Sequence, residues 1–199
     1  MAIAKQLQAN EIFICNTSNV DSMRHGRPQT VLIEQENLQN GMIVTLEGTK
    51  ETTDIKTRPL DHVHGIVLEA QTALIGKFIV VDPEINVEQY RRIDNSLAQF
   101  GTKPLEHNAT HTAYELTKYD RIEYSEAYLS GITAEQAKGM VGTVALGIDA
   151  TGKLVAGDTL RVVSVREQRL PLMMDGVDAE GQAISLPEKY HMIKVEVVK

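Results

Sequence analysis

A mainly β fold is what this sequence predicts: a sandwich or barrel-like β domain with one or two short helices and an extended N-terminal segment. Three observations carry that expectation. Short runs rich in β-branched residues alternate apolar and polar positions along the chain. Turn residues such as Asn40-Gly41, Asp149 to Gly152 and Gly157-Asp158 punctuate them. Only two segments read as helix, one from apolar residues at helical spacing and one from a capping box.

Taken in order, the predicted strands of the first half are "EIFIC" (11–15), "TVLIE" (30–34), "MIVTLEG" (42–48), "HGIVLEA" (64–70) and "KFIVVD" (77–82). Those of the second half are "TAYELT" (112–117), "DRIEYS" (120–125), "GTVALGI" (142–148), "TLRVVSV" (159–165) and "HMIKVEVV" (191–198). In the last, Ile193, Val195 and Val197 alternate with Met192, Lys194 and Glu196, a half-buried strand pattern. One helix is expected at 86–101, where Val87, Tyr90, Ile93, Leu97 and Phe100 share a face; its Tyr90 and Phe100 read as core anchors. A second, short one is expected at 132–139, where Thr133 and Gln136 form a capping box and Gly139 stops the turn. Residues 15–29, "CNTSNVDSMRHGRPQ", are polar, contain Gly and Pro, and predict no strand. Residues 1–35 therefore form an arm or a set of first strands, and 36–199 a β-rich domain. The polar stretch near 101–111 either divides that domain into two β subdomains or joins its halves.

The 199 residues can bury roughly 70% of the surface an unfolded chain exposes, enough for one large domain or two small ones. The formal net charge is −7, and an acidic surface repels phosphate backbones. Arg91-Arg92 and the group Arg161, Arg166 and Arg169 are interleaved with acids, so no nucleic-acid partner is expected. The single cysteine, Cys15, permits no intrachain disulfide and reads as a small apolar residue of a strand. The N-terminus lacks the apolar core of a signal peptide, and no run approaches the ~20 apolar residues of a membrane span, so no membrane partner is expected.

The segment that most resembles chemistry is "RPLDHVHGIVLEA" (58–70), with Asp61, His62 and His64 close together. In a strand, positions i and i+2 point the same way, so His62 and His64 could offer two imidazoles to one metal, as in cupin-type barrel enzymes. The further ligands would have to come from His25, His107, His111 or His191. Glu69 falls on the opposite face from His64, which departs from the cupin spacing. The competing reading is that both histidines stand where a polar crossing (49–63) runs into a strand, at the rim of the core. No phosphate loop, dinucleotide fingerprint, zinc-protease helix or nucleophile elbow is present. Carboxylate pairs such as Asp120 with Glu123, or Glu167 with Glu188, read as solvated surface in a chain with 27 acids. No cofactor and no catalytic residue is assigned. The scarcity of aromatics (no Trp, 3 Phe, 6 Tyr) also disfavours a sugar-binding sandwich.

The order of elements is more specific than any motif. "NLQNGMIVTLEGTKETTDIKTRPLDHVHGIVLEA" gives a strand with Gly at its start, a polar crossing, and a Gly-Ile-Val strand. "AYELTKYDRIEYSEAYLSG" and "GTVALGIDATGKLVAGDTLRVVSV" give two strand–turn–strand units before the terminal strand. This cadence, over about residues 38–199, resembles the β-rich decoration, or cement, proteins that bind the outside of tailed-bacteriophage capsids. The expected helix at 86–101 has no place in that pattern and reads as an insertion. The resemblance implies a structural virion protein without enzymatic activity, assembled in the host cytoplasm and located on the capsid exterior. Its implied partners are the major capsid protein and its own copies, as a homo-oligomer such as a trimer. Ile3, Leu7, Ile12, Phe13 and Ile14 would be the apolar contacts of an N-terminal arm, or else part of a first strand or helix packed on its own domain.

Overall fold

A computed structural model of the protein describes residues 5–6, 9, 13–25, 28–33, 39–51, 61–67, 73–81, 109–169, 175–177, 183–185 and 189–199. The fold is mainly β, as the alternating pattern predicts. In chain order the elements are β1 (Lys5–Gln6), β2 (Cys15–Asn19), α1 (Asp21–Arg24), β3 (Pro28–Ile33), β4 (Ile43–Glu51), β5 (Asp61–Val67), β6 (Phe78–Val80) and β7 (Ala109–Glu115). They continue with β8 (Arg121–Ser125), a 3₁₀ turn (Glu126–Tyr128), α2 (Ala134–Gly139), β9 (Val144–Ile148) and β10 (Leu154–Arg169). The last are β11 (Asp175–Val177), β12 (Ala183–Ser185) and β13 (Lys189–Val197).

Two bodies dominate. Strands β3, β5, β4, β6 and β7 close into a barrel in that order, with β7 returning to pair β3. The β3–β5 pairing is parallel and the other four are antiparallel. The second body is a five-stranded sheet in the order β2-β8-β13-β10-β9. Strands β1-β12-β11 form a third, small sheet that shares no strand with either.

The two faces of β4, β6 and β7 divide between two cores. Val31, Met42, Val44, Val80 and Ala113, with Leu46 and Phe78, fill the barrel interior. Their chain neighbours Ile43 and Ile79 point outward and join Ile122, Tyr124, Leu146, Leu160, Val162, Ile193, Val195 and Val197 of the sheet. The sheet therefore lies on the flank of the barrel. Each such side chain, taken fully from water, contributes roughly 1.5–3 kcal/mol before chain entropy is set against it.

Polar groups fasten the bodies together at two places. Tyr124 donates its hydroxyl to the Gly41 carbonyl at 2.9 Å, and Tyr128 donates to the Asn40 carbonyl. The Tyr124 and Tyr128 rings lie 4.9 Å apart, and Phe13 meets Tyr128 edge-on at 5.2 Å. The expected Asn40-Gly41 turn is thus where the sheet grips the barrel. At the second place, the buried Asp120 accepts from the Asp21 N–H at 2.8 Å and the Thr117 N–H at 2.7 Å. It caps the first turn of α1, whose own N-cap residue, Val20, has no side chain for the task.

Several expectations need correction. Residues 15–29 are not strandless: β2 pairs with β8, and β3 begins at Pro28. β2 is polar because it is a strand with one inward face only: Cys15 packs against the core and Thr17 is buried, while Asn16 and Ser18 are exposed. β2 accordingly starts at Cys15, where the strand expected at 11–15 was to end. β5 starts at Asp61, so His62 and His64 both lie within a strand rather than one ahead of it. The cause is β4, which resumes pairing after a bulge between Leu46 and Thr49 and runs on to set Glu51 opposite Asp61. Asp120 is buried and bonded, not solvated. The capping box of α2 forms as expected, with Thr133 Oγ1 accepting from the Gln136 N–H and Gln136 Oε1 accepting from the Thr133 N–H. The expected helix at 86–101, with Tyr90 and Phe100, lies outside the described residues, as does 101–108 of the expected boundary.

Candidate functional site: the outer face of the five-stranded sheet

Register alone assembles this site. In β13, alternation turns Ile193, Val195 and Val197 to the core, which leaves Lys194 and Glu196 on the opposite face. Glu196 stands opposite Arg121 of β8 on one side and Arg161 of β10 on the other. Arg121 is in turn opposite Asn19 of β2, whose side-chain carbonyl accepts from Arg24 at 3.2 Å. The next row across the sheet reads Asn16, Glu123, Lys194, Ser164. Arg166, one step further along β10, reaches diagonally to Glu123.

The geometry is that of carboxylates each shared by two cations. Glu196 Oε2 accepts from Arg121 at 2.9 Å and Oε1 from Arg161 at 2.8 Å. Glu123 Oε2 accepts from Arg166 at 2.9 Å and Oε1 from Lys194 at 3.2 Å. The burial is unequal. The glutamate side chains are 6% and 12% exposed, whereas Arg121, Arg161 and Arg166 are 49%, 41% and 57% exposed. The acids are sunk into the sheet and hold the guanidinium arms in place above it. Further along β13 the face is closed, since Met192 and Tyr190 are buried. An arrangement of this kind supplies fixed hydrogen-bond donors and positive charge.

The residues that the sequence brought forward fall elsewhere. His64 is paired in register with Leu32 and His62 with Lys50; their side chains lie outside the described residues. His25 pairs with Asp21 at the end of α1, His111 is buried opposite Val31 in the barrel, and His191 Nδ1 lies 3.0 Å from Glu126. These three stand on separate elements, and His107 lies outside the described residues. Among the described residues no group of three or more His, Cys, Asp or Glu could hold a metal ion. Of the apolar N-terminal residues, Phe13 packs into the main core, and Ile14 donates its N–H to Ser125 Oγ and accepts from the Ser125 N–H at its carbonyl. Ile3, Leu7 and Ile12 lie outside the described residues. Glu167 pairs with Lys189 at 2.9 Å, and the lysine's hydrogen bond lowers its carboxyl below the ordinary range. Sequence reading missed Arg24, Arg121, Glu123 and Glu196 as a group, because 75 positions separate Arg121 from Glu196. A signal did exist: Arg121 and Glu123 alternate with core residues in one predicted strand, and Lys194 and Glu196 in another.

Cys15 behaves as a structural residue. Its Sγ lies against Gly41, and burial pushes its thiol far above the ordinary value of 9.0. Because the folded value is the higher one, the neutral thiol's contribution to stability is intact below pH 9.0 and declines above it. We expect stability to fall by up to about 1.4 kcal/mol per pH unit from this group between pH 9 and 10. Tyr124, raised by the same desolvation, adds to the loss only above its ordinary value of 10.0. Urea titrations of wild type and Cys15→Ala at pH 8, 9 and 10 check this; equal slopes in the two proteins would refute it.

Comparison with known protein families, with characterised proteins and with solved structures finds no match to this chain.

Proposed function

We propose that the protein is a structural virion component, a decoration protein that binds the outer surface of a tailed-phage capsid and stabilises the shell through protein–protein contacts. The observation that supports this best is the succession of short strands and tight turns that resembles such proteins. Here it folds as a closed barrel backed by a sheet with a polar, charged outer face. In this reading the partners are the major capsid protein and further copies of the chain. A shell repeats its sites many times, so contacts that are weak singly hold firmly when oligomers engage several at once. Purified protein added to capsids stripped of it is expected to co-sediment to saturation at a fixed ratio to the capsid subunit, and to raise the temperature at which the shells rupture. Absence of co-sedimentation across a range of salt concentrations would remove the proposal.

A further inference from the structure

We infer that the outer face of the five-stranded sheet is a docking surface for a carboxylate-rich stretch of another protein. The inference holds whether or not that protein is a capsid subunit. Among the described residues, five cations, Arg24, Arg121, Arg161, Arg166 and Lys194, are bonded on this face to Asn19 and to two carboxylates, Glu123 and Glu196. These described side chains carry an excess of three positive charges on a chain whose formal net charge is −7. Charge of the opposite sign is concentrated where strand register gathers it, against the trend of the molecule.

Three features specify the occupant. The buried acids already fix Arg121, Arg161 and Arg166 on the sheet, so little side-chain entropy remains to be lost on binding. At 41–57% exposure each of these arms can still reach a second acceptor, and a planar guanidinium suits a carboxylate bidentately. The acidity of the remainder of the chain opposes a long polyphosphate, whereas a short acidic segment of a protein fits the patch without meeting it.

The test uses labelled poly-L-glutamate as the probe, titrated at low salt and followed by fluorescence anisotropy. Arg24→Gln combined with Arg166→Gln removes two charges without touching the pairs that neutralise buried Glu196. Thermal melting verifies that this variant folds. Saturable binding is expected, weakened about tenfold by that pair and by less than twofold by Lys138→Gln with Lys153→Gln, which lie on the core side of the sheet. No binding at low salt, or equal weakening by both double variants, overturns the inference. Tighter binding to a DNA duplex of matched charge overturns it in favour of a phosphate ligand. Salt-sensitive self-association that disappears in the Arg24/Arg166 variant overturns it in favour of a second copy of this chain.

Discussion

Replacing Gly41 with alanine is expected to cost this protein about 3–4 kcal/mol, a large fraction of the roughly 5–15 kcal/mol by which folded proteins are typically stable. Two separate penalties add at this position. Its φ of +86° is a left-handed conformation that costs an L residue about 1–2 kcal/mol. A Cβ there would also lie 2.5 Å from Cys15 Sγ and 2.7 Å from Cys15 Cβ, with Tyr124 at 3.0 Å, an overlap worth a further 1–3 kcal/mol or so. Gly131 supplies the control. Its φ is +70°, but nothing lies within 4 Å of an added Cβ, so Gly131→Ala should incur the conformational penalty alone. Urea midpoints, read at unchanged slope, measure both variants. If the two lose equal stability, the close packing of Gly41 on Cys15 is not what makes glycine necessary there.

The second large effect is expected at Tyr124. Removing its ring by Tyr124→Ala should cost about 4 kcal/mol, since it is fully buried between the sheet and the barrel and packs at a tilt against Tyr128. Tyr124→Phe keeps the ring and deletes only the hydroxyl, which leaves the Gly41 carbonyl without this donor. That change should cost about 1 kcal/mol. The difference between the two variants separates packing from hydrogen bonding at the junction of barrel and sheet. A Phe variant as unstable as the Ala variant would show that the hydroxyl, not the ring, joins the two bodies.

Local features of the fold were legible in the chain, and non-local ones were not. Alternation in "HMIKVEVV" announced β13, and the Thr133–Gln136 pair announced α2, because each signal is complete within a few residues. Asn40-Gly41 was legible as a turn, but its role in receiving two tyrosine hydroxyls depends on residues 83 and 88 positions away. β2 was missed for a physical reason: an edge strand with one wet face needs few apolar residues, and Asn16, Ser18 and Asn19 carry no hydrophobic signal. The arginines were judged from their neighbours in sequence, where acids interleave with them. In a strand those neighbours point to the opposite face or pair across it, so charge along the chain says little about charge on a face. The candidate site was for that reason visible only as separate strands. Assigning strands to the barrel or to the sheet was beyond periodicity altogether, since both use the same alternating pattern.

The position of β13 sets a schedule for how the molecule comes into being. The chain enters the sheet at β2, leaves it to build the entire barrel, and returns at β8, where Arg121 meets Asn19 again. The barrel has all of its strands once residue 115 has been made. The sheet must wait much longer, because its middle strand follows every other strand of that sheet in the chain. Until β13 arrives, Arg121 and Arg161 belong to separate strand pairs, β2–β8 and β9–β10, with no carboxylate of β13 between them. β13 joins the two pairs and places its carboxylate between their arginines, so a chain lacking β13 displays no assembled arginine face. The docking surface proposed above is thus a property of the whole sheet and of neither strand pair alone.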